Sequence, residues 1–125
     1  MAASFAPFPT TDLVRIAVVE QGPSVQLTVT GEVDASSAPE LGHRLDAALD
    51  GQPDALTVDL CGVTFLDSAG LCVLAAAHRR ATGAGIALRV LASSRAVVRP
   101  LQIAGLWRLL GAELVDPAVR GQSVA

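Results

Sequence analysis

The sequence predicts an α/β fold, a mixed four- to five-stranded sheet packed with about four helices in one domain. Two early segments alternate apolar and polar residues with the period of two that is typical of half-buried strands. Later segments repeat apolar residues every three or four positions, as amphipathic helices do. Strand and helix patterns then follow one another, which indicates parallel crossovers. The length of 125 residues suits one domain, and its hydrophobic content of 51% with only 3% aromatics predicts an aliphatic core.

The opening hairpin is predicted from two alternating runs. "EQGPS" lies between them, and its Gly22 and Pro23 suit a turn, so the two strands should pair antiparallel. The alternating apolar positions are Val14, Ile16 and Val18 in the first run and Val25, Leu27 and Val29 in the second.

The first helix is predicted after "GEVD". Ser37 and Glu40 match the S-x-x-E capping box, and Pro39 falls in the first turn, where a missing N–H costs nothing. The stripe that should face the core consists of Ala38, Leu41, Leu45 and Ala48/Leu49, with His43 and Arg44 outside it.

The middle of the chain predicts a strand followed by a helix. "ALTVDLCGVTFL" alternates as a strand, with a break at Gly62 before a second short apolar run. "DSAGLCVLAAAHRRATGAG" then predicts a helix that ends at Gly83 or Gly85.

The last third of the chain repeats the pattern on a smaller scale. "IALRVLA" predicts a strand, and "SSRAVVRPLQIAG" a shorter helix capped by Ser93 or Ser94, which Pro100 should kink or shift. "LWRLL" predicts one helical turn whose Trp107 covers the core, and "AELV" an extended piece. We therefore expect a flexible leader at residues 1–11, a domain at 12–116 and a flexible tail at 117–125.

Charge and hydropathy limit the classes of partner. The net charge is −3 and the nine basic residues form no cluster, which argues against direct binding of nucleic acid. No apolar run reaches the roughly 18 residues that a membrane helix needs. The sequence therefore predicts a soluble, cytoplasmic protein with no membrane partner, whose oligomeric state stays open.

Cofactor and metal sites find no support in the motifs. The chain has neither a G-x-G-x-x-G nor a P-loop pattern. Asp34, Asp59 and Asp67 come without His or Cys at ligand spacing, and Cys61 and Cys72 are predicted to be small buried thiols. We expect no cofactor and no metal.

The stretch "FLDSAGL" raises the question of what Ser68 does. A hydrolase would need G-x-S-x-G, and here Leu66 stands at the first glycine position. His78, ten residues further along the helix, would lie roughly 15 Å away. A small serine hydrolase is therefore disfavoured, and we expect no catalytic residues and no enzyme activity.

A structural role competes with a binding role at the same place. Asp67 and Ser68 are both good N-cap residues, so a helix start alone could account for the motif. Ala69, Gly70 and Leu71 add two very small residues and one apolar residue, a bare surface over which another protein could lie. The exposed hydroxyl of Ser68 would then be accessible to a kinase.

Three segments resemble the STAS domain family, in particular its stand-alone bacterial anti-sigma factor antagonists. They are "GEVDASSAPEL", "LTVDLCGVTFLDSAGLCVLAAAHRRA" and "LRVLASSRAVVRPLQIAGLWRLL". The resemblance covers roughly residues 12–116 and includes the D-S-x-G-L signature, here with Ala69 where serine is common.

The resemblance implies a partner-switching function. Such an antagonist, or anti-anti-sigma factor, binds an anti-sigma factor that is a serine kinase and so frees the sigma factor for transcription. The kinase phosphorylates the serine that matches Ser68, and a serine phosphatase restores it. The resemblance implies partner contacts at Asp34, Asp67, Ser68, Ala69, Gly70 and Leu71.

A phosphate on Ser68 should be tolerated by the fold. The amides from Ala69 to Leu71 and the helix dipole are expected to accommodate it, while its charge beside Asp67 would prevent docking. The alternative within the family is a phosphorylation-independent scaffold or sensor subunit of a larger signalling assembly.

Overall fold

A computed structural model describes residues 13–115, which form a five-stranded sheet. The strands are β1 (Val14–Gln21), β2 (Ser24–Val33), β3 (Ala55–Leu66), β4 (Ala87–Ala92) and β5 (Glu113–Leu114). They lie side by side in chain order, with β1 and β2 antiparallel and every later neighbour parallel. The predicted hairpin and mixed sheet are confirmed. The predicted leader and tail lie outside the described residues.

Four helices accompany the sheet. They are α1 (Ala38–Asp50), α2 (Ser68–Ala84), α3 (Arg95–Ile103) and the single turn α4 (Leu106–Leu109). The first two pack against each other, and α3 packs against β3. None of the helices within residues 13–115 is long and apolar enough to cross a membrane.

The core is aliphatic, as the composition predicts. It takes alternate residues of β2 and β3 and the apolar stripes of the three longer helices. Trp107 is half-buried and packs against this core, which supports its predicted role as a cover. The largest fully buried side chains are Leu27, Leu41, Leu45, Leu56, Leu60, Leu74 and Leu101.

Gly62 does not break the third strand, so that prediction is wrong. β3 runs through it, and the pairing with β2 shifts register there, from Thr28 opposite Asp59 to Thr30 opposite Gly62. A Cβ at Gly62 would lie 2.5 Å from Cγ2 of Thr30. The glycine therefore gives room for close strand packing at a β-bulge, which is a common use of glycine within strands.

The capping box predicted at the start of α1 is also absent. Ser37 is the N-cap residue, but its side chain caps no helix amide. Its hydroxyl is buried and donates to the carbonyl of Glu32 at 2.7 Å, while it accepts from the amide of Asp34 at 2.9 Å. Ser37 thus closes the "GEVD" loop rather than capping the helix that follows.

The third helix tolerates its proline. α3 extends from Arg95 to Ile103 with Pro100 inside it, so Pro100 neither starts nor ends the helix. The N-cap residue is Ser94, one of the two predicted. Its hydroxyl does not hydrogen-bond a helix amide and lies 3.4 Å from the carbonyl oxygen of Val63. The hydroxyl of Ser93 lies 3.4 Å from the carbonyl of Cys61. These two contacts hold the start of α3 beside the end of β3.

The prediction of two buried thiols is wrong. Cys61 is half-buried in β3, and Cys72 is exposed on the first turns of α2. The helix stripe explains the second case, because Gly70, Leu74, Ala77 and Ala81 occupy the core-facing side of α2. Position 72 falls on the opposite side of that stripe.

Candidate functional site

The site lies where two parallel strands end side by side. The last paired residues of β2 and β3 are Val33 and Leu66. One further hydrogen bond joins the loops beyond them, from the amide of Asp67 to the carbonyl of Val33 at 3.2 Å. Because parallel strands place their carboxyl ends on the same side of the sheet, Asp34 in the loop after β2 lies near Ser68 at the start of α2, although 34 positions separate them in the sequence.

The carboxylate of Asp34 is held inside its own loop. Its Oδ1 accepts hydrogen bonds from the amide of Ser36 at 2.9 Å, the hydroxyl of Ser36 at 2.7 Å and the amide of Ser37 at 3.1 Å. The hydroxyl of Ser36, followed by these amides, lowers the pKa of Asp34. Asp34 therefore supplies a fixed negative charge at this edge of the sheet.

Asp67 is the N-cap of α2, and its side chain uses the nearest free amides. Its Oδ1 accepts from the amides of Ala69 at 2.9 Å and Gly70 at 3.4 Å. The amide of Leu71 donates to the backbone carbonyl of Asp67 at 3.0 Å. All three amides therefore already have acceptors in the unmodified protein, so a phosphate on Ser68 would have to compete with Asp67 for them.

Ser68 is the first residue of α2, and its side chain is exposed. None of the side-chain hydrogen bonds within residues 13–115 involves the Ser68 hydroxyl, so neither His43 nor His78 is hydrogen-bonded to it. A serine nucleophile is normally activated by a base within hydrogen-bond reach. The geometry thus offers an accessible hydroxyl without the pairing that the hydrolase alternative requires.

Gly70 packs against the core and is not part of the exposed surface. It is buried, and a Cβ there would lie 2.4 Å from Cδ1 of Leu66 and 2.8 Å from Cγ1 of Val33. Its interpretation as clearance for a docking protein is therefore wrong. Its small size lets the first turn of α2 sit tightly on the ends of β2 and β3, while Ala69 and Leu71 remain half-buried at the surface.

An apolar groove of about 480 Å³ opens beside Ser68. One wall comes from the end of β3 and the start of α2, and the other comes from α3. Two large apolar side chains are exposed at the groove, Phe65 at 47% and Ile103 at 77% of their surface. The residues that line it are Phe65, Leu66, Asp67, Ser68, Leu71, Arg95, Ala96, Arg99, Pro100, Ile103 and Ala104.

The α3 wall of this groove was missed at the level of sequence. The available signal was the spacing of Arg95, Arg99 and Ile103, which places them on one side of a helix. Both arginines are exposed and, within residues 13–115, neither takes part in an ion pair. The groove is therefore apolar at its floor and positively charged along one wall.

The acidic side chains of the site do not form a metal cluster. Across residues 13–115 no three His, Cys, Asp or Glu side chains come together in a group that could hold a metal ion. Asp34 and Asp67 are both engaged by local hydrogen bonds. Their carboxylates therefore serve the two loops in which they stand.

Comparison with known proteins agrees with this architecture. The family model described as "Mlab, STAS domain" matches residues 16–115. The anti-sigma-F factor antagonist RsfB of Mycobacterium tuberculosis is 30% identical over 95 residues, which cover 76% of this chain and 77% of RsfB.

Solved structures share the fold. An anti-sigma factor antagonist from Mycobacterium paratuberculosis superimposes with a TM-score of 0.76 at 31% identity, over 85% of this chain and 87% of that one. The Bacillus cell fate determinant SpoIIAA in its phosphorylated form has a TM-score of 0.65 over 89% of this chain and all of its own, and at 15% identity it shows the fold alone. The family match over residues 16–115 and the mycobacterial relative together establish that this chain belongs to the STAS domain family.

Proposed function

We propose that this protein is an anti-sigma factor antagonist, a non-catalytic binding module that captures an anti-sigma factor and so releases a sigma factor. The observation that carries the proposal is the placement of Ser68, an exposed hydroxyl at the mouth of an apolar groove. The antagonists RsfB and its Mycobacterium paratuberculosis counterpart are similar over most of the chain. ATP and RNA polymerase are cytoplasmic, so we propose that the protein acts there.

The binding surface would combine the two neighbouring loops with the groove. Asp34 contributes a fixed anion, Phe65 and Leu71 contribute apolar area, and Ser68 lies between them. Exposed apolar area rimmed by polar groups is typical of protein interaction sites. We therefore add Phe65 and Ile103 to the proposed contact residues, with Gly70 supporting the surface from below.

We propose that the anti-sigma factor is also the kinase. The Ser68 oxygen would attack the γ-phosphorus of ATP, the bond to the β-phosphate bridging oxygen would break, and ADP and a proton would leave. A phosphatase would return Ser68 by hydrolysis. The exposure of Ser68 on the first turn of a helix permits both reactions without unfolding the domain.

Phosphorylation would stop binding through charge. A phosphate carries roughly −1.5 to −2 charges at neutral pH, and desolvating such an anion in an interface without a cation is costly. Asp34 and Asp67 are close by and already negative. The bulk of the phosphate, together with its charge next to these two acids, would therefore exclude a partner that accepted the neutral serine.

The test measures binding of candidate anti-sigma serine kinases to the parent protein, Ser68→Ala and Ser68→Glu. Incubation with ATP should place one phosphate, which mass spectrometry maps to Ser68. Ser68→Ala should bind constitutively, whereas Ser68→Glu should bind at least about tenfold more weakly, a loss of about 1.4 kcal/mol. Circular dichroism should be the same for all three forms.

Three results would contradict the proposal. If Ser68→Glu bound as tightly as the parent, the switch would be refuted. Stable capture in a large complex that no kinase modifies would instead support the phosphorylation-independent scaffold. Esterase activity abolished by Ser68→Ala would support the hydrolase.

A further inference from the structure

A phosphate on Ser68 would find the amides of the three following residues already engaged. The amides of Ala69 and Gly70 donate to the Asp67 side chain, and that of Leu71 donates to the Asp67 carbonyl. The Asp67 carboxylate stands beside the phosphate and adds like charge. The negative charge of the phosphate is therefore either balanced by cations elsewhere in the molecule or left to solvation by water.

Two arginines face the same groove as Ser68. Arg95 and Arg99 lie four residues apart on α3, so both belong to one side of that helix. The other arginines near acidic groups are occupied: Arg44 pairs with Glu40, Arg80 with Asp46 and Asp50, and Arg89 with Glu113. In the chain between residues 13 and 115, Arg95 and Arg99 have no such partner.

We propose that Arg95 and Arg99 hold the phosphate of phosphorylated Ser68 across the groove, as an intramolecular latch between α2 and α3. The proposal deepens the proposed function, because it rests on phosphorylation of Ser68. A guanidinium donates two parallel hydrogen bonds to a phosphate, and its long flexible stem follows an apolar surface while the head reaches a charge. The contact is non-covalent, so no bond is made or broken beyond the phosphoryl transfer itself.

The latch has a consequence for partner binding. A bridge from Ser68 to α3 crosses the groove between its two walls and covers apolar side chains such as Leu71. Phosphorylation would then remove both the neutral serine and the apolar surface next to it. It would also remove the two free positive charges that an acidic segment of a partner could use.

The test uses the full chain with phosphoserine installed at position 68, which requires no kinase. The second pKa of the phosphate is measured by ³¹P NMR at low salt. In the parent, the arginines should lower this pKa below that of free phosphoserine. In the double variant Arg95→Gln/Arg99→Gln it should rise by about one unit, the size expected for loss of a neighbouring opposite charge.

Control variants separate a latch from a general charge effect. Arg79→Gln removes an exposed arginine of α2 that does not line the groove, so it should leave the phosphate pKa unchanged. Arg95→Lys/Arg99→Lys keeps both positive charges, so the phosphate pKa should stay nearly as low as in the parent. Both arginines are exposed, so these substitutions should not disturb folding, and the single glutamine variants give the same readout if the double variant is unstable.

The outcomes distinguish the latch from the proposed function. Equal phosphate pKa values in the parent and the Arg95→Gln/Arg99→Gln variant would overturn the latch, whatever the binding data show. A raised pKa in the double variant but not in Arg79→Gln would support it. Binding of kinase partners to Ser68→Ala and Ser68→Glu is a separate measurement, so failure there would refute the proposed function and leave the latch standing.

Discussion

At the scale of single residues, the motif around Ser68 is mostly a solution to a packing and capping problem. Asp67 satisfies the amides of Ala69 and Gly70, and Gly70 lets the helix approach Val33 and Leu66. Neither role needs a partner. Ser68 stands apart from its neighbours in the motif because its exposed hydroxyl has no structural role of this kind.

Replacing Gly70 by alanine tests the packing role. The added Cβ would overlap with Leu66 and Val33, and overpacking costs about 1–3 kcal/mol. Alanine recovers about 1 kcal/mol of helix propensity. We therefore expect Gly70→Ala to lower the free energy of unfolding by about 1 kcal/mol, taking overpacking as the larger effect, as measured by urea denaturation.

Gly83→Ala is the matched control, since it lies in the same helix and a Cβ added there would meet nothing within 4 Å. It should raise the free energy of unfolding by about 0.5–1 kcal/mol. If both glycine variants were stabilised equally, Gly70 would have no packing constraint and its assignment to the interior would fail.

The N-cap gives a second prediction at this scale. Asp67→Ala removes the acceptor of two helix amides, and loss of an N-cap side chain typically costs about 0.5–2 kcal/mol. Ser68→Ala, one position later, should change the free energy of unfolding by only a few tenths of a kcal/mol. Equal unfolding midpoints in urea for these two variants would show that Asp67 does not cap α2.

At the scale of elements, the short last strand depends on side chains as well as backbone. β5 has only two residues, and its Glu113 forms two hydrogen bonds with Arg89 of β4, at 3.0 Å and 2.8 Å. The hydrogen bond from Arg89 is the main cause that lowers the pKa of Glu113. The pair thus links the edge of the sheet to its neighbour.

The pH dependence of this pair has a definite sign. A carboxyl whose pKa is lower in the folded state stabilises the fold above its unfolded pKa, and that contribution is lost as the pH falls through the folded value. The loss should therefore occur below about pH 4, near the ordinary range of a glutamate. In Arg89→Gln, NMR titration should show the pKa of Glu113 rising, while the pKa of Asp34 stays lowered.

An unchanged pKa of Glu113 in Arg89→Gln would contradict the ion pair. The titration of Asp34 serves as an internal control, because hydrogen bonds from Ser36 and Ser37 lower its pKa and Arg89 is not among the causes. The pKa of Glu113 therefore reports on the pairing of β4 with β5, and the pKa of Asp34 reports independently on the candidate site.

Local patterns predicted most of the elements, and the errors came from contacts between them. Alternation and helical spacing are properties of one segment, so the strands and helices followed from the sequence. Of the two predicted ends of α2, Gly83 and Gly85, the structure has Gly85 as the C-cap residue. Gly62 looked like a break because the residue type permits either a break or a bulge. Only Thr30 on the neighbouring strand decides between them.

The groove shows the same limit for the functional site. Asp67 and Ser68 follow from one local motif, whereas Asp34 joins them only through the resemblance to the STAS domain family. Arg95 and Ile103 become neighbours of Ser68 only because α3 packs against β3, with the hydroxyls at its start close to β3 carbonyls. No pattern within α3 indicates which strand it will meet.

At the scale of the whole molecule, the candidate site combines the loop after β2, the start of α2 and one side of α3, and it carries charges of both signs. Asp34 and Asp67 are negative and Arg95 and Arg99 positive, in a chain whose net charge is −3. Phosphorylation would therefore act mainly on this local balance. The folded domain should keep its circular dichroism while its binding surface changes.

The hydrogen bond from Asp67 to Val33 is the outermost connection between β2 and β3. It ties the residue before α2 to the last residue of β2, so the Asp34 loop and the start of α2 keep their relative position at this point while the bond holds. A partner that docks on the Asp34 loop would therefore meet the Ser68 hydroxyl in a defined place.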